Sequence, residues 1–175
     1  MSRFLPLLGV GGGGGGPSFL ITAGTYTGNG TTQQVTTALS VAPDLVIVKG
    51  GSSIAGCRTS TFSGDKTKPL TGDTAIYADG ITSLDAGGKF TVGADASVNT
   101  NAVAYYYLAI VDSGAPDFAV LTYTGDGSDN RSITEAGFQP QMVWVMSEGA
   151  NAANWVTSDH NIALGSQPFN GLANN

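Results

Sequence analysis

The sequence predicts an all-β fold made of tandem β-sandwich domains, preceded by an extended, glycine-rich N-terminal arm. Three observations carry this prediction. Glycine fills 26 of the 175 positions, against a usual share of about 7%. Short runs rich in threonine and β-branched residues alternate with turn residues at intervals of roughly 8–12 residues, which is typical of β-proteins. The same order of motifs also occurs twice, with a spacing of 97 residues.

The composition excludes several classes of protein. Seven Lys and Arg against 13 Asp and Glu give a formal net charge of −6, which leaves no electrostatic footprint for nucleic acid or an anionic membrane. The single cysteine, Cys57, cannot form an internal disulfide. No apolar run approaches the ~18 residues that span a bilayer. We therefore expect no nucleic-acid partner and no membrane span.

Residues 1–18 read MSRFLPLLGVGGGGGGPS and are predicted to form an anchoring arm. The apolar stretch at 4–10 would lie in a partner's groove, and the glycines would let backbones approach closely. A flexible tail is one alternative. A secretory signal peptide is another, although Pro6 interrupts the apolar stretch and no small-residue cleavage site precedes the glycines. The residues predicted to anchor the partner are Phe4, Leu5, Leu7, Leu8, Val10, Gly11, Gly12, Gly13, Gly14, Gly15 and Gly16.

The first repeat is predicted to cover residues 19–114. Asn29-Gly30 is a strong hairpin signal, because both residues tolerate positive φ. Residues 45–49 form a short, β-branched apolar run, which predicts a strand buried on both faces. The other strands are predicted at 19–22, 31–36, 74–77, 81–84, 89–93 and 102–112, with a turn at 99–101. By propensity the run at 102–112 could also be a helix, but its length and aromatic content favour a central strand. About eight strands in about 95 residues predict a β-sandwich, and glycine is expected in the turns between them.

The second repeat is predicted to begin at residue 117 and to be incomplete at Asn175. Residues 121–127 match residues 24–30, and residues 140–145 match residues 43–48, both at a spacing of 97. We expect the natural chain to continue with the strands that would complete this second core. The alternative is that another subunit supplies those strands.

The chain has no arrangement typical of a catalytic, cofactor or metal site, so we expect a protein that is not an enzyme and needs no cofactor. His160 lacks a nucleophile in a defined context such as G-x-S-x-G and is expected in a surface loop. Cys57 has no spaced metal-ligating partner and is expected to be a buried apolar residue. Residues 126–130 lack the distal Glu of a calcium loop and are expected to form a hairpin turn. Residues 11–16 lack the Lys-Ser/Thr of a phosphate loop.

Aromatic side chains offer the remaining chemistry, because exposed rings can stack on sugars. The aromatics of the strand patterns are instead expected to pack in the core. They are Tyr26, Tyr105, Tyr107, Trp144 and Trp155.

The order of motifs resembles a β domain of about 100 residues that occurs, often in tandem, in virion structural proteins of tailed bacteriophages, such as tail fibre and tail-associated proteins. The resemblance covers both repeats. It departs from the family at Ser40-Val41-Ala42-Pro43, where the family has Gly-Phe-x-Pro. The motifs that carry it are Tyr26-Thr27-Gly28-Asn29-Gly30, Pro43-x-Leu45-Val46-Ile47-Val48-Lys49, Gly88-x-Phe90-Thr91-Val92-Gly93, Val98-Asn99 and Tyr105-x-Tyr107-x-Ala109.

The resemblance implies a structural protein located in the virion. Such a protein would be a homo-oligomeric, trimeric, fibre-like appendage that residues 1–18 anchor to head, collar or tail proteins. Its β domains would project outward for host attachment, with a host-surface glycan as a further partner. The family pattern carries no catalytic residues. The alternative is a secreted bacterial carbohydrate-binding or adhesion module with a signal peptide.

Overall fold

The computed structural model describes residues 20–71, 75–128 and 131–149, together with the backbone of two strands at 154–157 and 167–168. In these ranges all strand pairings are antiparallel and the single helix has four residues, so the all-β prediction is confirmed. The elements are β1 (Leu20–Thr27), β2 (Gln33–Thr36), β3 (Leu45–Gly50), β4 (Gly56–Thr59), β5 (Lys68–Pro69), β6 (Ile81–Asp85), β7 (Lys89–Val92), α1 (Ala96–Asn99), β8 (Ala104–Val111), β9 (Met142–Val145), β10 (Asn154–Thr157) and β11 (Gln167–Pro168).

Strands β1 to β8 form two sheets that share one hydrophobic core. The larger sheet has the order β1-β8-β3-β4-β5, and the smaller one has the order β2-β7-β6. Because side chains alternate between the faces of a strand, every second residue of each strand points between the layers. Together with Val98 of α1, the buried residues of this core are Val35, Val46, Val48, Ile81, Phe90, Val92, Tyr105, Tyr107 and Ala109.

Strand β3 is covered on both faces, as its continuous apolar run predicts. Val46 and Val48 point into the core between the sheets, and both are fully buried. Leu45 and Ile47 point to the opposite side, where they join a second apolar cluster. Strand β8 lies between β1 and β3, which confirms that the apolar run after Ala102 forms an internal strand.

Two glycines within strands make room for tyrosine rings. Gly24 lies directly opposite Tyr107 on β8, and Gly50 lies directly opposite Tyr105. A Cβ atom at either glycine would overlap the facing ring. Glycine was expected in the turns between strands, but these two glycines lie within strands. They are required by contacts with the facing strand, which become apparent only from the strand register.

Two local predictions are wrong. Of the strand predicted at 74–77, the described residues form only an isolated bridge between Tyr77 and Thr67. The turn predicted at 99–101 begins too early, because Asn99 ends α1. The Asp95 side chain caps this helix by accepting a hydrogen bond of 2.8 Å from the Ser97 amide, and such side-chain caps favour a helical turn over an open loop.

Strands β9, β10 and β11 repeat the pairing of β3, β4 and β5. Their order in the sheet is the same, with β10 in the middle as β4 is in the first repeat. Their register corresponds when the spacing between the repeats rises from 97 residues at β9 to 98 at β10 and 99 at β11. Val46 faces Arg58 and Val143 faces Val156, while Gly56 faces Pro69 and Asn154 faces Pro168. Matching register across two segments supports the sequence duplication at the level of the backbone.

The equivalents of β1 and β2 in the second repeat form no strand. They are residues 117–124 and 132–134, and both segments are irregular. In the first repeat β1 pairs with β8 and β2 pairs with β7, both of which come late in the repeat. Strands β9 to β11 follow one another in the chain and pair with their sequence neighbours. They therefore form without a partner strand from a distant part of the repeat.

Candidate functional site

The predicted anchoring residues lie outside the described part of the chain. They are Phe4, Leu5, Leu7, Leu8, Val10, Gly11, Gly12, Gly13, Gly14, Gly15 and Gly16. The anchoring role of the arm therefore stays a prediction. His160, Asp129, Asn130 and the side chain of Trp155 also lie outside the described residues.

The three tyrosines of the first repeat that were predicted to pack in the core, Tyr26, Tyr105 and Tyr107, do so. Tyr105 and Tyr107 are buried, and the Tyr26 ring stacks on Tyr105 with centroids 5.3 Å apart. Phe90 meets the edge of Tyr107 at a centroid distance of 5.2 Å. Burial, with the neighbouring Tyr105 adding to it, raises the pKa of Tyr26 far above its usual value. These rings stabilise the fold and are not available to stack on a sugar.

Cys57 is a buried residue of β4, which confirms the prediction from its sequence context. Its sulfur lies 3.3 Å from the sulfur of Met146, which belongs to the segment after β9. Burial raises the pKa of the thiol to about 12, and the positive charge of Lys68 opposes that rise only in part. The thiol is therefore protonated and shielded at neutral pH.

Met146→Ala is expected to raise the rate at which a thiol reagent labels native Cys57 by roughly tenfold, which corresponds to about 1.4 kcal/mol of easier local opening. The physical reason is that the Met146 side chain covers the thiol. Labelling at pH 8, followed by mass, measures the rate. The matched control is Met142→Ala, because Met142 is exposed. Equal rates in both variants and the wild type would contradict this packing.

The face of the large sheet that points away from the core is called the outer face here. It is half covered. Leu45, Cys57 and Ile110 are buried there beneath a segment that follows the first repeat. The partly buried residues packed against them are Ile47, Leu70, Leu108, Phe118, Trp144 and Met146.

Polar contacts accompany this apolar cover. The Glu148 carboxylate accepts a hydrogen bond of 2.9 Å from the Ser63 amide and pairs with the ammonium of Lys66. The hydrogen bond from Lys66 is the largest cause that lowers the pKa of Glu148. The buried Lys68 donates a hydrogen bond of 2.9 Å to the Gly149 carbonyl. The segment at 144–149 is thus held on the first repeat at several points.

The side of β9 that points away from the outer face is called the open face here, and it is defined by Val143 and Val145. The equivalent residues in the first repeat, Val46 and Val48, are fully buried. Val143 is 37% exposed and Val145 is 40% exposed. Among the residues that the structure describes, the open face therefore has the residue types of a core but stays exposed.

Ile133, in the segment equivalent to β2, is also exposed where its counterpart in the first repeat is buried. Ile133 is 41% exposed, whereas its first-repeat equivalent Val35 is 7% exposed. The exposure of this apolar surface could not be predicted from the sequence, because the residues themselves are typical of a core.

The described part of the loop at 126–128 forms a turn. Gly127 has a positive φ, and Asp126 accepts a hydrogen bond of 2.9 Å from the Ser128 amide. Arg131 lies near Asp126 and over the ring of Tyr123, 5.7 Å from its centroid. The described residues contain no cluster of three or more His, Cys, Asp or Glu side chains that could hold a metal ion.

Among the residues with described structure, no helix has the length and apolar character needed to cross a membrane.

Comparison with known proteins identifies the family. No curated protein and no solved structure matches the chain. A family described as a domain of unknown function (DUF7483) matches residues 19–163, which include the first repeat, the junction and most of the second repeat. Because this match extends over well more than half of the 175 residues, the chain belongs to the DUF7483 family.

Proposed function

We propose that this protein is a structural component of a phage virion, a fibre-like homotrimeric appendage that residues 1–18 anchor to head, collar or tail proteins. Its tandem β-sandwich domains project outward for host attachment, with a surface glycan as the receptor. The order of motifs that resembles tailed-phage virion proteins supports this proposal. The low content of charged residues, 11%, also fits a surface that packs against other chains.

The observation that carries the proposal is the packing of one β unit on the next. Leu45, Cys57 and Ile110 of the first unit share an apolar cluster with Trp144 and Met146 of the second. An elongated structural protein needs such contacts, because successive units form a stiff array only when each packs against its neighbour. We include in the proposal that β9 to β11 belong to a second sandwich equivalent to the first.

Deleting residues 1–16 is expected to leave the β units folded, with an unchanged melting temperature, and to stop incorporation of the chain into particles. The reason is that the proposed anchor precedes every strand of the fold. Mass spectrometry of purified particles measures incorporation. As a matched pair, Phe4→Asp is expected to reduce incorporation and Ser2→Asp is not. Incorporation of the deletion variant at the wild-type level would refute the anchor.

A secreted carbohydrate-binding or adhesion module is the second candidate, and one exposed aromatic residue favours it. Tyr106 is 64% exposed on the outer face, between Thr25 and Lys49 in the strand register. An aromatic ring on a flat sheet can stack on a sugar. N-terminal sequencing of the mature protein separates the two candidates. Removal of residues 1–10 would favour secretion and contradict the arm as an anchor.

A further inference from the structure

We propose that the first repeat binds an acidic sugar on its outer face, with the sugar ring stacked on Tyr106 and its carboxylate paired with Lys49. The inference rests on the proposed function only in taking a surface glycan as the receptor. It names the place on the chain that holds this glycan and the chemical class of the sugar.

Tyr106 is an exposed ring in a strand whose other two tyrosines are buried. Tyr105 and Tyr107 point into the core, whereas Tyr106 points to the outer face and is 64% exposed. A single exposed aromatic residue is ordinary on a protein surface. The case for a site therefore depends on the side chains around the ring.

The strand register places Tyr106 in a row of exposed side chains. Thr25 of β1 lies directly opposite it on one side, and Lys49 of β3 lies directly opposite it on the other. All of them are exposed. Because adjacent strands are about 4.8 Å apart, the row extends over about 10 Å, which is about the length of a disaccharide. Thr25, Tyr106 and Lys49 are called the exposed row here.

Short side chains flank the exposed row and keep the ring accessible. Ala104 precedes Tyr106 on the same face of β8, and Ala23 and Thr27 lie on either side of Thr25 on the same face of β1. These flanking residues are also exposed, and none of them is long enough to cover the ring. An aromatic ring that is open in this way can stack on the C–H groups of a sugar.

Lys49 supplies a positive charge that no carboxylate of the described residues pairs with. Its ammonium donates a hydrogen bond of 2.9 Å to the Gly51 carbonyl, which leaves further N–H donors for a ligand. The other basic side chains in the described ranges are buried or lie near a carboxylate. They are Arg58, Lys66, Lys68, Lys89 and Arg131. Lys49 is therefore the basic residue best placed to attract an anion.

The exposed row matches the chemistry of a sugar that carries a carboxylate, such as a uronic acid. The Tyr106 ring would bind the apolar face of the sugar, and the Lys49 ammonium would bind its carboxylate through a charge-assisted hydrogen bond. The Thr25 hydroxyl can donate to or accept from the sugar hydroxyls. A neutral sugar would leave the charge of Lys49 without a partner, so the acidic sugar fits better.

The contact between the two units leaves the exposed row accessible. The cluster that the segment at 144–149 joins is centred on Leu45, Cys57 and Ile110. Ile110 lies on the same strand as Tyr106, roughly 13 Å along it. A shallow site of this kind binds one sugar weakly. In the proposed homotrimer several copies would bind together, and such multivalency raises the overall affinity without new contacts.

Titration of the full chain with a trisaccharide of galacturonic acid, followed by nuclear magnetic resonance, tests the proposal. The amide signals of the exposed row are expected to shift. The affinity is expected to be about fivefold higher than for the fully methyl-esterified trisaccharide, because the ester keeps the sugar rings but loses the charge. A tenfold rise in salt concentration is expected to remove most of this difference.

Matched variants locate the site. Tyr106→Ala is expected to lower the affinity about tenfold, and Tyr106→Phe is expected to keep it within about twofold. Lys49→Met is expected to lower the affinity for the acid to that for the ester and to leave the ester unaffected. Tyr123→Ala, at another exposed tyrosine, and Lys89→Met, on the smaller sheet, are expected to change neither affinity. Melting temperatures within about 2 °C of the wild type would show that the variants are folded.

Any of four results would overturn the inference: no binding of the acid, equal affinity for acid and ester, wild-type binding by Tyr106→Ala, or failure of iodination to label Tyr106 in sugar-free particles. The last result would mean that another unit or chain covers the exposed row. If particles incorporate the chain but the titration fails, only the sugar site is refuted. If the titration succeeds with a chain that particles never contain, the sugar site stands and the virion proposal fails.

Discussion

Gly88→Ala is expected to lower the free energy of unfolding by about 3–5 kcal/mol, because a left-handed backbone and a backbone clash act together. Gly88 has a φ of +71° in the turn between β6 and β7. A Cβ atom there would overlap the backbone carbonyl of Leu39. The chain cannot move away cheaply, since the Gly88 carbonyl accepts hydrogen bonds from the amide and the hydroxyl of Thr37, at 2.8 Å and 2.7 Å.

The neighbouring glycine provides the control. Gly87 has almost the same φ, +73°, but no atom lies within 4 Å of the position of its Cβ. Gly87→Ala should therefore lower the free energy of unfolding by only about 1 kcal/mol, which is the cost of an alanine in the left-handed backbone conformation. Urea unfolding of both variants measures the difference. Equal losses for Gly87→Ala and Gly88→Ala would show that the clash with Leu39 does not exist.

Asn99→Asp is expected to lower the free energy of unfolding by about 3–5 kcal/mol, although the two side chains have the same shape. Asn99 is fully buried. Its amide nitrogen donates to the carbonyls of Gly93, at 2.6 Å, and Thr31, at 2.5 Å. Its oxygen accepts from the Asn29 amide, at 2.9 Å, and the Gln33 side chain, at 2.8 Å. A carboxylate would keep both donors but would leave the buried Gly93 carbonyl and the partly buried Thr31 carbonyl without their donor and facing a negative charge.

Asn101→Asp is the matched control, because Asn101 is exposed two residues away. At pH 7 the melting temperature of Asn99→Asp is expected to lie roughly 10 °C below that of Asn101→Asp. Burial raises the pKa of a carboxyl group, so the deficit of Asn99→Asp should be smallest at low pH, where the group is protonated, and should grow as the pH rises through that pKa. Melting temperatures that agree within a degree would contradict the role of Asn99.

Asn99 also shows what could be predicted from the sequence and what could not. The pair Val98-Asn99 belongs to the motifs that carry the family resemblance, but the pattern was expected to mark a turn. Its role depends on contacts with Asn29, Thr31 and Gln33, which lie 66 to 70 residues earlier. Such distant contacts leave no periodic signal.

The strands that were predicted well have a signal in their own residues. Strand β3 is a continuous apolar run, and β7 alternates with Phe90 and Val92 on one face. The roles of Gly24 and Gly50 were missed because each depends on a tyrosine of another strand. The open face of β9 was missed for a related reason, since exposure is a property of the assembled layers. The arm was found from composition, because six consecutive glycines need no structural context to be recognised.

The pairing of β1 with β8 sets the order in which the first repeat can form during synthesis. Strands β3, β4 and β5 are neighbours in the chain and can pair as soon as they leave the ribosome. Strand β1 must wait until β8 is made, since Leu20 pairs with Val111. Non-local pairing of this kind makes all-β domains fold over milliseconds to seconds.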